Sequence, residues 1–174
     1  QSSILKIVND ASSSSPNDEN GIYIVITSND IKVNGFNTGK IQFCGWHTWT
    51  SSGTGFRKYA FVGDPANATY CQGQAAPTPT GNVGADSMAS ILIHEIEEAT
   101  TDPLLNAWWS STTTGNENAD KCAWSWGTTT GTSTISNYSW ASTNYLIQQE
   151  FKLGTKSNTS TTTKDIFSGN CALS

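Results

Sequence analysis

The clearest pattern along the chain is Ile22-Tyr23-Ile24-Val25-Ile26-Thr27, a compact β-branched run with almost no polar interruption. Such a run predicts a buried strand rather than an alternating, half-exposed one. Upstream, Ile4, Leu5, Ile7 and Val8 suit a short helix or strand, followed by a polar loop through residues 12–21. A weaker strand is expected near Ile31 to Val33. Gly35 and Gly39 frame a turn, and Ile41 to Cys44 reads as strand again. Lys58 to Val62 reads as a core strand, stopped by Gly63-Asp64-Pro65. Residues 77–84 and 110–118 read as loops. Tyr145 to Phe151 suits a strand, and the Ser/Thr-rich tract 155–163 a surface loop open to O-glycosylation.

One long helix stands out, from Ser87 to about Thr101, with Asp86 as its expected N-cap and Pro103 as its stop. No repeat or linker interrupts the chain. The expected fold is therefore α+β: one domain over residues 1–174, a small mixed sheet, one long helix and many loops.

Composition narrows the setting. Of 174 residues, 36% are hydrophobic and only 13% charged, so Ser, Thr, Asn and Gly must supply the polar surface. That balance suits a secreted, extracellular protein. A net charge of −5 with no basic cluster excludes a nucleic-acid partner. The apolar runs are too short to span a membrane. Gln1 fits a mature N-terminus left by processing.

The four cysteines, Cys44, Cys71, Cys122 and Cys171, lack metal-knot spacing and suit two disulfides. Of three connectivities, Cys44–Cys71 with Cys122–Cys171 is preferred, because each then closes a loop within one half of the chain. Sequons at Asn67, Asn137 and Asn158 agree with extracellular glycosylation.

The chemistry sits on the long helix, in Ile93-His94-Glu95-Ile96-Glu97-Glu98. His94 and Glu98 are four residues apart and share one helical face, so they can grip one cation. Glu95 is placed as the general base that activates a water polarised by that cation, as in HExxH proteases. Glu95, Glu97, Glu98 and Asp102 crowd the helix C-terminus, where the dipole disfavours each by roughly 0.3–1 kcal/mol. No Lys or Arg lies between Lys58 and Lys121 to relieve them. Zinc is the expected ion. Glu98 in place of a second His leaves calcium as the alternative.

Downstream, Asn116-Glu117-Asn118-Ala119-Asp120 resembles the second half of the gluzincin arrangement, with thermolysin its familiar member. The resemblance implies Glu117 as third ligand and Asp120 as the residue orienting His94. Asp102 and His47 remain rival ligands, although a structural, hydrogen-bonded role is the favoured reading of His47.

Several stretches also resemble the EXORDIUM / phosphate-induced protein family of plant cell walls and microbes. These are Val25 to Ile31, Phe43-Cys44-Gly45-Trp46-His47, Thr69 to Gln74, Gly81 to Met88, Thr101-Asp102-Pro103 and the closing cysteine. The resemblance implies secretion and a wall-associated life, and it supports the preferred disulfide pairing. Plant members hold small or apolar residues at the HExxE positions, so plant-type wall signalling is not carried over.

Seven tryptophans, Trp46, Trp49, Trp108, Trp109, Trp124, Trp126 and Trp140, are read as core and disulfide packing ahead of a sugar-stacking row. The expected function is a secreted zinc hydrolase acting on a peptide or protein. A non-enzymatic binder of wall polysaccharide with a structural ion is the alternative.

Overall fold

The computed structural model describes residues 2–14, 18, 20–40, 43–53, 55–73, 78–109, 117–132, 134–157 and 166–173. Side chains are described for all of these but 153–157 and 166–168. Parts of four expected loops (residues 12–21, 77–84, 110–118 and 155–163), Ile41 and Gln42 of an expected strand, and sequon Asn158 lie outside the described residues.

The apolar set near the N-terminus resolves as a helix, α1, Ser2–Ser14, which buries Ile4 and Val8 four residues apart on one face. The β-branched run is β1, Ile22–Thr27, but it is not the buried strand expected: at the sheet edge its residues are only partly buried and Ile26 is exposed. Two more strands complete a mixed sheet in the order β1-β3-β2. β2, Gly45–Ser52, and β3, Gly55–Gly63, form an antiparallel hairpin, while β1 runs parallel to β3. Tyr59, Ala60, Phe61, Val62 and Gly63 of β3 are all buried, as a central strand covered on both faces requires. Phe61 lies at the heart of the core with Phe36, Val62, Ile91, Cys71 and Val8.

Three more expectations shift. The weak strand near Ile31–Val33 is instead a tight turn closed by a bridge between Val33 and Phe36, with Gly35 at φ 92° between them. The strand expected to end at Cys44 starts only at Gly45 and runs on through His47 and Trp49. Tyr145 to Phe151 is divided between two strands, because the N–H groups of residues 147–149 bond to Asn137, Ser90 and Ser125 instead of to a paired strand.

The long helix, α2, is Val83–Thr101, and it starts four residues before the expected Ser87. Asn82 caps it by accepting from the Ala85 backbone N–H. Asp86 is not the cap: it is buried in the first turn and accepts from the Thr80 backbone N–H and hydroxyl, pinning the entering loop.

Beyond α2, a single 3₁₀ turn, Asp120–Cys122, precedes hairpins β4 (Tyr138–Trp140) with β5 (Thr143–Tyr145) and β6 (Glu150–Ser157) with β7 (Ile166–Ala172). Both disulfides pair as expected, Cys44–Cys71 and Cys122–Cys171. The second closes a 49-residue separation, which removes about 4 kcal/mol of unfolded-chain entropy on a loop-closure basis. It also tethers the Asp120 turn to β7. No described helix is long and apolar enough to cross a membrane.

The tryptophans depart from the core-packing expectation. None is fully buried, and Trp49, Trp108, Trp109 and Trp140 are exposed. Aliphatic and phenylalanine side chains fill the core instead. Trp46 stacks on Phe61 at its margin, and Trp124 and Trp126 cover Gly73.

Candidate metal centre

α2 packs against β2 and β3, and this contact builds the site. His94, Glu95 and Glu98 project from the last two turns of the helix. β2 delivers His47 from the opposite side. The bend at Glu117 and the turn at Asp120 close the remaining quarter.

Glu98 is the hub. It is 4% exposed, and its Oε1 lies 3.1 Å from His94 Nε2 while accepting the Asp120 backbone N–H at 3.0 Å. Its Oε2 lies 3.8 Å from His47 Nε2. His94 Nε2 also lies 3.6 Å from Asp120 Oδ1, and His47 Nε2 lies 3.0 Å from Glu117 Oε1. Two sets of potential ligand atoms result, His94–Glu98–Asp120 and His47–Glu98–Glu117, each with all atoms within 4.8 Å of one another. A tetrahedral ion with bonds of about 2.0–2.2 Å needs its ligand atoms roughly 3.3–3.6 Å apart. In the His94 set the ring nitrogen lies 3.1 and 3.6 Å from its two carboxylate oxygens, near that spacing.

The expected pairing of the downstream acids is therefore exchanged. Asp120, expected to orient His94, faces the same ring nitrogen as Glu98. Glu117, expected as third ligand beside His94, instead engages His47. Neither stands on a second long helix: Glu117 lies in a bend and Asp120 opens a single 3₁₀ turn. Asp102 is not brought in. It ends α2, fully buried, with Oδ1 accepting the backbone N–H groups of Asn106 and Ala107. His47, favoured as structural, lies inside the constellation, so both histidines of the chain meet at Glu98.

The electrostatics follow from this crowding. Burial alone would lower the His94 pKa, but hydrogen bonds to Asp120 and Glu98 and the charges of Glu98 and Glu95 push it up to about 11. A proton there offsets the negative charge of these carboxylates. Burial raises the Glu95 pKa well above the usual carboxylate range; nearby Glu98, Asp120 and Glu117 raise it further, against the pull of His94. Glu95 is 4% exposed and its Oε2 has no hydrogen-bond partner.

Glu95 faces a cleft of about 320 Å³, lined also by His94, Asp120, Tyr70, Trp124 and Gly45. Gly45 is required there by space: a Cβ would sit 2.5 Å from Glu95 Oε1 and 2.7 Å from Ile91 Cγ2. A second groove of about 360 Å³ lies along α2 near Leu92, Ile93 and Glu97, walled by Tyr138, Tyr145 and Trp140.

Sequence reasoning missed Glu150, at the start of β6. It is buried, with neither carboxylate oxygen partnered, close enough to feel His94, Glu97 and Glu98. No local pattern marks it. Among the sequons, Asn67 is exposed, its amide donating to the Asn29 carbonyl. The Asn137 side chain is fully engaged: its amide donates to the Trp126 and Ile147 carbonyls, and its oxygen accepts the Ile147 N–H.

The family model described as the phosphate-induced protein 1 conserved region matches residues 1–145. Over 111 residues the chain is 37% identical to Protein EXORDIUM-like 3 of Arabidopsis thaliana, covering 54% of this chain and 32% of that protein. Over 109 residues it is 33% identical to Protein EXORDIUM-like 5 of the same plant, covering 53% and 29%. The match thus spans about a third of the length of these curated relatives. No solved structure matches the chain.

Proposed function

The chain belongs to the phosphate-induced protein 1 family, and on that footing we propose that it is a secreted zinc-dependent hydrolase acting on peptide bonds. One observation carries the reading. Both histidines and the carboxylates of Glu98, Glu117 and Asp120 converge from three separate segments, beside a cleft with the buried Glu95 on its wall.

His94, Glu98 and Asp120 hold the zinc in this reading, with Asp120 replacing the expected Glu117 because it shares the His94 nitrogen. Zinc bound there supplies Lewis acidity, polarising a carbonyl and acidifying water. Calcium fits less well, since an imidazole nitrogen is a poor ligand for it. The peptide enters the cleft between Tyr70 and Trp124. Glu95, adjacent to His94, accepts a proton from the attacking water and delivers it to the leaving amine. Glu98 holds His94 and the Asp120 turn in register.

The test is Glu95→Gln, assayed on a peptide library with zinc content measured in parallel. Turnover should vanish while zinc stays bound. Retained turnover would remove Glu95 from the reaction.

A second reading is favoured by one feature. Trp140, 67% exposed, and Tyr138 present aromatic faces along the groove beside α2. Such faces stack on sugar rings, and a wall-polysaccharide binder with a structural ion would use them. Saccharide binding that is lost in Trp140→Ala, with no hydrolysis of any peptide, would decide for this reading.

A further inference from the structure

We infer that the C-terminal end of α2 holds a second divalent cation, between His47, Glu98 and Glu117, so that Glu98 bridges a dinuclear centre. The inference rests on the reading of the His94 side as a zinc site.

The two ligand sets share only Glu98, and they use its two oxygens separately. Oε1 serves His94 and the Asp120 turn; Oε2 faces His47. A carboxylate divided in this way is the usual bridge between two ions, which sit about 3.5–4 Å apart in two-metal hydrolases. Among the described residues no set of ligand atoms within 4.8 Å of one another contains both histidines.

Charge argues the same way. Glu95, Glu98, Glu117 and Asp120 crowd one small volume, and no Lys or Arg pairs with Glu95, Glu98 or Glu117 among the described residues. Of these, Glu95 and Glu98 are each 4% exposed, and a carboxylate taken out of water is costly without a counter-charge. His47 is only 7% exposed, and Glu95, 4% exposed, still has an unpartnered oxygen among these same carboxylates.

The elements that carry the second set support a built site. His47 sits on β2, held in register by the hairpin with β3, where it pairs with Ala60. Glu117 comes from 70 residues further along the chain and meets His47 Nε2 at 3.0 Å. One imidazole with two carboxylates suits zinc or manganese better than calcium or magnesium.

The experiment is zinc stoichiometry. The intact chain, stripped with chelator, is dialysed against buffered Zn(II) and its metal content measured. Far-UV circular dichroism confirms that each variant folds. Wild type should hold two equivalents, and His47→Ala and the conservative Glu117→Gln one each. Glu98→Gln should weaken both sites at least tenfold. One equivalent in wild type, unchanged in Glu117→Gln, would overturn the second site and leave the His94 reading standing. One equivalent lost in both His47→Ala and His94→Ala would mean a single ion spanning the histidines, which also overturns it. No zinc in any form would sink the hydrolase proposal itself and this inference with it.

Discussion

Replacing Glu150 by Gln should stabilise the metal-free protein at neutral pH and flatten its pH dependence. Glu150 opens β6 at 4% exposure, with both oxygens unpartnered. Burial first, then the charges of Glu97 and Glu98, raise its pKa from 4.5 to about 8, against the pull of His94. The 3₁₀ turn packed on β6 adds Asp120 and Lys121 to its surroundings, and β7 carries no charge. The folded pKa lies above the unfolded one, so folding takes up a proton between them. Stability is therefore fullest below pH 4.5, falls as pH rises towards 8, and levels off beyond. At pH 7 the unfolded chain has lost the proton and the folded chain has kept it. About 2.5 pKa units at 1.36 kcal/mol each give roughly 3 kcal/mol. For a chain of this size that is about 6–12 °C in Tm. Thermal melts of wild type and Glu150→Gln in EDTA, from pH 4.5 to 9, isolate this one group by difference. The gap should open in favour of Gln by about 3 kcal/mol at pH 7, approach roughly 5 kcal/mol beyond pH 8 and then hold. A difference that stays flat, or that closes with rising pH, would refute the reasoning.

Asn137→Ala should cost about 2–4 kcal/mol, since it strands two carbonyls and one N–H that now bond to a single side chain; urea unfolding measures it. Expression in a glycosylating host should leave Asn137 unmodified by peptide mapping, while exposed Asn67 remains available. Gly45→Ala should cost about 1–3 kcal/mol by overpacking against Ile91 and Glu95. It should also lower kcat on any peptide substrate by up to about 10²-fold by displacing Glu95; unchanged melting would mean that β2 does not press on α2 there.

What the sequence disclosed was what local periodicity encodes. β1 is continuous and β-branched, so it announces itself, and α2 carries its own i, i+4 ligand pair. The edge strand β2 is harder to see, because Gly-Trp-His-Thr-Trp-Thr-Ser-Ser mixes polar and aromatic residues without a clean alternation. The start of α2 was obscured by Gly84, which reads as a loop residue. In the fold it lies in the first turn because a side chain there would collide with Asp64. Asp86 looked like a cap because Asp is a good one, but Asn82 reaches the free N–H groups first.

The same division runs through the site. The pair His94 and Glu98 was legible because helical geometry alone puts it on one face. The assignment of Glu117 and Asp120 was not, because it depends on how the chain returns to α2 after Trp109 and where the turn at Asp120 is anchored. The Cys122–Cys171 bond and the Glu98 acceptance of the Asp120 N–H fix that turn against the His94 side. Glu117, three residues earlier, is then left facing β2, where His47 waits on the edge strand. Nothing near residue 47 or residue 117 signals this meeting. It follows only once β2 is recognised as a strand, since β2 lies next to β3 beneath α2 and so carries His47 to Glu98. The late start of β2 and the meeting of Glu117 with His47 therefore follow from one placement, that of β2 beside β3 under α2.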